Sequence, residues 1–505
     1  MHADLSRLTF RPDRHYSAVI AQQGRVQLDA DANEQTAIQL HQARTIAADL
    51  IGQHGGPSGA AGFRVEYLGG NRELDDLSIG GGRYYVDGIP CDATRPRPGT
   101  PVDEDDAPAP AAEPPTTWTY WDQPDAFRDP ERPADRLPTR FPYLAYLKVW
   151  ERTVTAAEDP ALREVALGSA LPDTAARAKV VWQVLPLPGH ELRLEDGAGK
   201  DQIREAFRTW AAEAESPASR LAARSERPDQ ADEDPCLVKP DARYRGPENQ
   251  LYRVEVHEGG EAENATFKWS RENGSVTFPV DELDGTWVEL GSLGSDDKLD
   301  LHVGDQVEFT DTAYASRGEP LPLLRVEEID LPGRRVRLSD EPHPTVGRRP
   351  ELNPYLRRWD QPEGSRRAGR GRLRHGAVRV EEGRWLPLED GVEVYFAAGG
   401  TYRPGDFWLI PARTATGSVE WPTDPARRPL LQGPAGVRAH YAPLAWVLGE
   451  GSVSDLRMAF GPLAGPVPAA DEAALAAEAE ATAETEEQEA RAAATERWRD
   501  AERSA

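Results

Sequence analysis

The chain reads as a mainly β protein of several small antiparallel sheets or barrel-like modules, multidomain, with one N-terminal amphipathic helix and a helical insertion. Three observations predict this. Short runs alternate apolar and polar residues along most of the 505 positions, and 44 Gly with 44 Pro punctuate them. Asp-Gly and Asn-Gly pairs sit between apolar runs, the strongest short-range hairpin signal. Helical spacing of apolar residues is confined to a few stretches.

The first of these stretches begins after an extended arm. Asp31 with Glu34 forms a D-x-x-E start signal, in which Asp31 caps the first turn and Glu34 reaches back to the Asp31 N–H. Ala37, Leu40, Ala43, Ala47, Leu50 and Ile51 then recur at three- and four-residue spacing until Gly52, predicting one helix of roughly 20 residues. Asp29-x-Asp31-x-Asn33 also matches the opening of a calcium loop. The match fails at Glu34, where glycine is needed, and at Leu40, where a bidentate Glu is needed. Capping is therefore the reading adopted for Asp31, and no metal or cofactor site is assigned.

Next, a turn at Asp87-Gly88 pairs Val86 with Ile89 and Tyr84 with Cys91, making Cys91 a small buried hydrophobe. Residues 1–95 form this arm, helix and hairpin module, and 96–140 a Pro-rich acidic linker. A central β core over 141–350 starts with the strand around Tyr143–Trp150 and carries a helical insertion at about 190–235. Within it, Asn273-Gly274 predicts a type I′ hairpin with Trp269 opposite Phe278, the two buried together. Alternation from Leu299 to Phe309, and around the Pro332-Gly333 turn, predicts a small barrel from about Asp297 to Asp340. An Arg- and Gly-rich loop (351–380), a C-terminal β region (381–463) and an Ala/Glu-rich tail (464–505) complete the chain.

Net charge is −27, which argues against a general nucleic-acid surface, because phosphate binding is driven by clustered Lys and Arg. No stretch approaches the roughly 18 apolar residues of a membrane span. The N-terminus lacks a basic flank followed by an apolar run, so a secretory signal is not expected and synthesis is cytoplasmic. The two cysteines, Cys91 and Cys236, offer neither zinc spacing nor a disulfide framework. G-x-S-x-G, H-E-x-x-H and Walker A sequences are missing, and no catalytic residue is assigned. Trp121, Trp359, Trp408 and Trp421 could line a sugar-binding face, but core or turn positions are the commoner fate of such rings. Trp-Asp-Gln-Pro occurs twice, at 121–124 and 359–362, without similar flanks.

Several segments carry a resemblance. Gln22-Gln-Gly-Arg-Val-Gln-Leu-Asp-Ala-Asp-Ala-Asn-Glu-Gln35, Arg163-Glu-Val-Ala-Leu167, Glu248-Asn-Gln-Leu-Tyr-Arg-Val-Glu-Val-His257, Phe267-Lys-Trp-Ser-Arg-Glu-Asn-Gly-Ser275 and Gly405-Asp-Phe-Trp-Leu-Ile-Pro-Ala-Arg413 are among them. Together they resemble a bacterial family of unknown function encoded beside phage-tail-like contractile injection systems. Ala32 stands where that pattern has a Trp. The resemblance implies a structural or accessory component near the baseplate or fibre of such a particle. Its partners would be other particle components, with a homo-oligomer compatible, and release would be as part of an extracellular particle. A carbohydrate-binding or wall-acting module on such a particle is the alternative. The tail beyond Ala464 lies outside the resemblance and has Leu475 and Trp498 as its main large apolar residues. Truncation near Ala464 is expected to leave the melting temperature within about 2 °C, measured by calorimetry.

Overall fold

The computed structural model describes residues 2–69, 74–96, 116–168, 171–194, 197–216, 219–226, 243–294, 296–362, 373–464 and part of 481–491. It divides into two compact units, Met1–Met458 and Ala459–Ala505. In the second, the described residues from 481 to 491 are helical; Leu475 and Trp498 fall outside the described residues, as does Cys236.

The first unit is mainly β, as the patterning predicts. A four-stranded antiparallel sheet contains Ser452–Asp455, Ala439–Gly449, Tyr143–Val154 and Arg177–Pro188, in that order. Alternation along Tyr143–Val154 assigns its two faces. Ala145, Leu147 and Val149 pack towards the hairpin Arg83–Val86/Ile89–Asp92, whereas Leu144 and Tyr146 pack under the helix Lys200–Glu215. That helix buries Ile203 and Phe207, so it is part of a core and not a surface insertion. Its continuation, Leu221–Ser225, is a strand pairing with Val392–Phe396, another piece the helical reading of 190–235 did not contain.

The hairpin at Asp87-Gly88 has the expected register, Val86 against Ile89 and Tyr84 against Cys91. Asp87 (φ 46°) and Gly88 (φ 77°) are both left-handed, as a type I′ turn requires. Cys91 is buried, and burial pushes its thiol up to about 12.

Six strands form a closed antiparallel barrel in the order Thr277–Asp284, Trp287–Leu290, Arg335–Leu338, Leu324–Asp330, Gln306–Thr310 and Tyr355–Trp359. It extends the predicted barrel on both sides. Register shifts at Val280/Glu282 and Val326/Glu328 supply the bending that closure needs. Leu299 to Val303 lie outside its strands; Leu301 is buried but Val303 is largely exposed. Beside the barrel stands a six-stranded sheet in which Gln250–Val256 pairs with Thr266–Ser270 on one side and Phe407–Arg413 on the other. Sheets therefore draw strands from distant segments of the chain.

The Asn273-Gly274 hairpin is corrected. Asn273 (φ 54°) and Gly274 (φ 65°) adopt the expected left-handed backbone, but the strands they join lie in different sheets. Thr266–Ser270 belongs to the six-stranded sheet and Thr277–Asp284 to the barrel. The segment Tyr355–Gln361 has taken the hairpin's hydrogen bonds. Leu356 pairs with Phe278, the Arg358 N–H donates to Val276 O at 3.1 Å, and the Asp360 N–H donates to Trp269 O at 2.8 Å. Trp269 and Phe278 are both buried, in separate cores. Trp269→Ala is expected to cost about 3–5 kcal/mol in urea unfolding, as a large-to-small core change. A cost below about 1 kcal/mol would contradict the packing.

Candidate functional site

The polar faces of two alternating strands meet at the joint between sheet and barrel. Along Gln250–Val256 and Thr266–Ser270, the side chains of Tyr252, Val254, Phe267 and Trp269 enter the sheet's own core. Period-two geometry sends Arg253, Glu255 and Lys268 to the opposite face. Such a face normally meets water, but here the barrel covers it and every residue of both strands is buried. Lys268 Nζ lies 2.9 Å from Glu308 Oε1 and 3.3 Å from Glu255 Oε1. Arg253 binds Glu255 at 2.6 Å, and Arg357 approaches Glu308 at 3.5 Å. Three cations thus share two carboxylates. The ring of Trp359, 4.4 Å from Lys268 Nζ, and that of Phe407, 3.7 Å from the Arg253 guanidinium carbon, take up part of the excess positive field. Burial raises the Glu255 carboxyl, but Arg253, Lys268 and His2 outweigh it and hold the group well below the usual range.

The chain's own N-terminus completes the cluster. His2 Nε2 meets Glu255 Oε2 at 2.8 Å, and Asn273 Nδ2 donates to Ala3 O at 2.9 Å. A Cβ on Gly274 would come 2.9 Å from His2 Cδ2, so glycine is required there for steric as well as dihedral reasons. Burial and the neighbouring Arg253 and Arg357 hold the His2 imidazole well below its ordinary pKa, against the opposing pull of Glu255. Next along the chain, Ser6 donates to Asp29 at 2.9 and 2.6 Å, and Arg413 donates to Ser6 O at 2.9 Å.

Beside this joint opens a cleft of about 500 Å³ lined by Arg271, Lys298, His302, Asp305, Arg358 and Asp360, among others. Its cations are already engaged. Arg271 holds Glu389 through two bonds of 2.9 and 2.8 Å, and Lys298 bridges Glu248 and Glu272 at 2.8 and 3.1 Å. Arg358 donates to the carbonyls of Lys298 and Asp300 at 2.8 and 2.6 Å. Arg358, from strand Tyr355–Trp359, also faces Glu272 at 3.6 Å and Asp360 at 3.3 Å. Among the described residues, no group of three His, Cys, Asp or Glu side chains is placed to hold a metal ion.

The predicted residues distribute as follows. Trp269, Asn273, Gly274 and Phe278 all lie at or beside this joint. Asp31 and Glu34 lie apart from it, on the N-terminal helix. That helix runs Asp29–Ile51, three residues earlier at its start than predicted, with Leu28 at the N-cap. Asp31 is therefore at the third helical position and accepts from the Leu28 N–H at 3.2 Å, the task expected of Glu34. Glu34 instead accepts from Thr9 Oγ1 at 2.6 Å, which ties the arm to the helix. The stop at Gly52 (φ 91°) is as predicted.

The four tryptophans pack or are hydrogen-bonded. Trp359 and Trp408 are fully buried, and Trp121 and Trp421 donate through Nε1 to Asp75 O and Leu430 O at 3.0 and 2.9 Å. The repeated Trp-Asp-Gln-Pro has a local use at both sites: its glutamine amide substitutes for a peptide at a strand. Gln123 Oε1 accepts from Val184 N at 2.6 Å and Gln123 Nε2 donates to Val184 O at 3.2 Å. Gln361 Oε1 accepts from Trp269 N at 3.1 Å, and its Nε2 donates to Gly376 O at 3.0 Å. Arg253, Glu255, Lys268, Glu308 and Arg357 escaped sequence reasoning, since a charged alternate face reads as solvated. Their one sequence signal was that repeat, which marks the segment wedged between sheet and barrel.

A multi-sheet β protein joined internally by buried ion pairs is the class these features define. The chain belongs to the family of unknown function DUF6519, which it matches over residues 1–207 and 198–462. No curated protein and no solved structure matches it.

His54 and His257 are buried, and burial first of all lowers each from 6.5 to about 4; Arg204 adds to the shift at His54 and Lys268 at His257. The native state then binds fewer protons than the unfolded chain below pH 6.5. Their contribution to stability is complete above that pH and is lost as pH falls towards 4. Each is expected to cost about 2–3 kcal/mol over this window. Urea titrations from pH 7 to 4 check this, and His257→Gln should flatten the dependence.

Proposed function

We propose that the protein is a non-catalytic structural or accessory component of a phage-tail-like contractile particle, near its baseplate or fibre. The observation that carries this reading is an exposed N-terminal lobe. Along residues 11–28 almost every side chain is exposed. Ile20 and Val26, flanking the turn at Gly24, are 82% and 84% exposed. The helix that follows buries only Ala30 and Ile38, and Leu40, Ile46 and Leu50 face solvent. A monomer gains nothing from presenting this much apolar surface on an ordered support. The resemblance to families encoded beside contractile systems supplies the particle.

Residues 2–9 and Arg44, which forms two bonds of 2.8 and 2.7 Å with Glu151, fasten the lobe to the body. A test that leaves folding intact therefore removes only residues 11–27, with a short Gly-Ser joint. Particles purified from the producing cell are expected to carry the full-length protein at fixed low copy number near one end, by mass spectrometry and imaging. The shortened form should be missing from them. If the full-length protein is not on particles and binds or cleaves a wall polysaccharide by itself, the carbohydrate-directed alternative replaces this reading.

A further inference from the structure

We infer that the lobe's partner is a second copy of this chain, so that the protein is a homodimer held by exchanged arms. This rests on the preceding reading of the lobe as an assembly surface and adds the identity of what covers it. Charge makes the choice. Residues 7–28 hold Arg7, Arg11, Arg14 and Arg25 against Asp13, a net +3 on a chain of net −27. The helix Asp29–Ile51 holds Asp29, Asp31, Glu34 and Asp49 against Arg44, a net −3. Arm and helix are therefore complementary in sign, with Arg7 already engaged by Glu420 at 3.1 Å.

Within one chain this complementarity is not used up. Neither Arg11 nor Arg25 has an ion-pair partner among the described residues, and neither does Asp49. Arg44, the helix's lone arginine, is committed to Glu151. Contacts between arm and helix are polar ones near its start, Ser6 to Asp29, Thr9 to Glu34 and Val19 N–H to Gln35 Oε1 at 2.7 Å, with the Phe10 ring against His41. Arg44 fastens the inner face of the rest of the helix to the body, and the outer face, where Ala43, Ile46 and Leu50 are exposed, is left to a visitor.

Backbone and apolar groups point the same way. Around Gly24, Arg25 N–H closes a turn on Gln22 O at 3.3 Å, and no atom lies within 4 Å of where a Cβ would stand. Both flanks of this turn enter no sheet, and apart from the Val19 N–H given to Gln35 their backbone groups are open to a strand or arm of another copy. Leu40, Ala43, Ala47 and Leu50 follow a three–four spacing whose small central residues allow helices to approach closely across a two-fold axis. A self-complementary surface of this kind closes on itself, and a dimer so built needs about 1,200–2,000 Å² of total buried area.

Sedimentation velocity and light scattering on the full-length protein are expected to give a dimer at micromolar concentration, weakening at high salt. Charge reversal in the arm, Arg11→Glu with Arg14→Glu and Arg25→Glu, should raise the dimer dissociation constant at least tenfold. Circular dichroism and melting temperature should stay unchanged, since those side chains are exposed. A photo-crosslinking residue at Ile20 should join two chains, with the acceptor among residues 36–50. A monomer throughout, a dimer untouched by charge reversal, or crosslinks only to another particle component would each overturn the inference. A monomer still carried by particles would sink this inference alone. A dimer missing from particles would sink the particle assignment alone.

Discussion

Lys268 sits between Glu255 and Glu308, one from the sheet and one from the barrel, and the rest of the first unit depends on that arrangement. Pulling a lysine and two glutamates out of water is expensive, and the attraction among them repays it only with good geometry and further hydrogen bonds. The joint supplies both: the Trp359 indole N–H donates to Glu308 at 3.3 Å, and Arg253 donates to Asn273 Oδ1 at 3.3 Å. Removing one partner strands a charge, whereas an apolar replacement of the whole set could be neutral. The value of such a joint is thus orientation. Ion pairs of fixed length hold the barrel against the sheet at one angle, where two apolar faces would permit sliding.

That fixed angle explains why the chain's first residues belong to the joint. His2 and Ala3 fill the space over Gly274 and place Ser6 beside Asp29 at the start of the helix. The lobe therefore leaves the body from a rigid base. An exposed arm with a mobile base would lose conformational entropy on binding, whereas one held at its root loses less. Beside the joint, the cleft's Arg271 and Lys298 are likewise engaged by carboxylates of the same chain.

Much of this was legible beforehand where the deciding forces are local. The register at Asp87-Gly88 and the turn at Pro332-Gly333 follow from turn residues and alternation alone. So did the burial of Trp269 and Phe278, because side-chain transfer out of water does not depend on which strand lies opposite. The candidate site was much less visible. Its charged residues look identical, in one dimension, to a solvated strand face.

Sequence by itself determined the β-rich class, the left-handed turns at Asp87-Gly88 and Asn273-Gly274, and the helix ending at Gly52, since dihedral preference and hydrophobic period act within a few residues. Only the tertiary structure decided which strands pair. Tyr355–Gln361 displaced the neighbour that the Asn273-Gly274 turn offered Trp269, from some 90 residues further along the chain. It also decided that the helix's apolar stripe would face outward while a charged strand face went inward. Both outcomes have one cause: burial is settled by what the whole chain can cover, a long-range competition that no local pattern records.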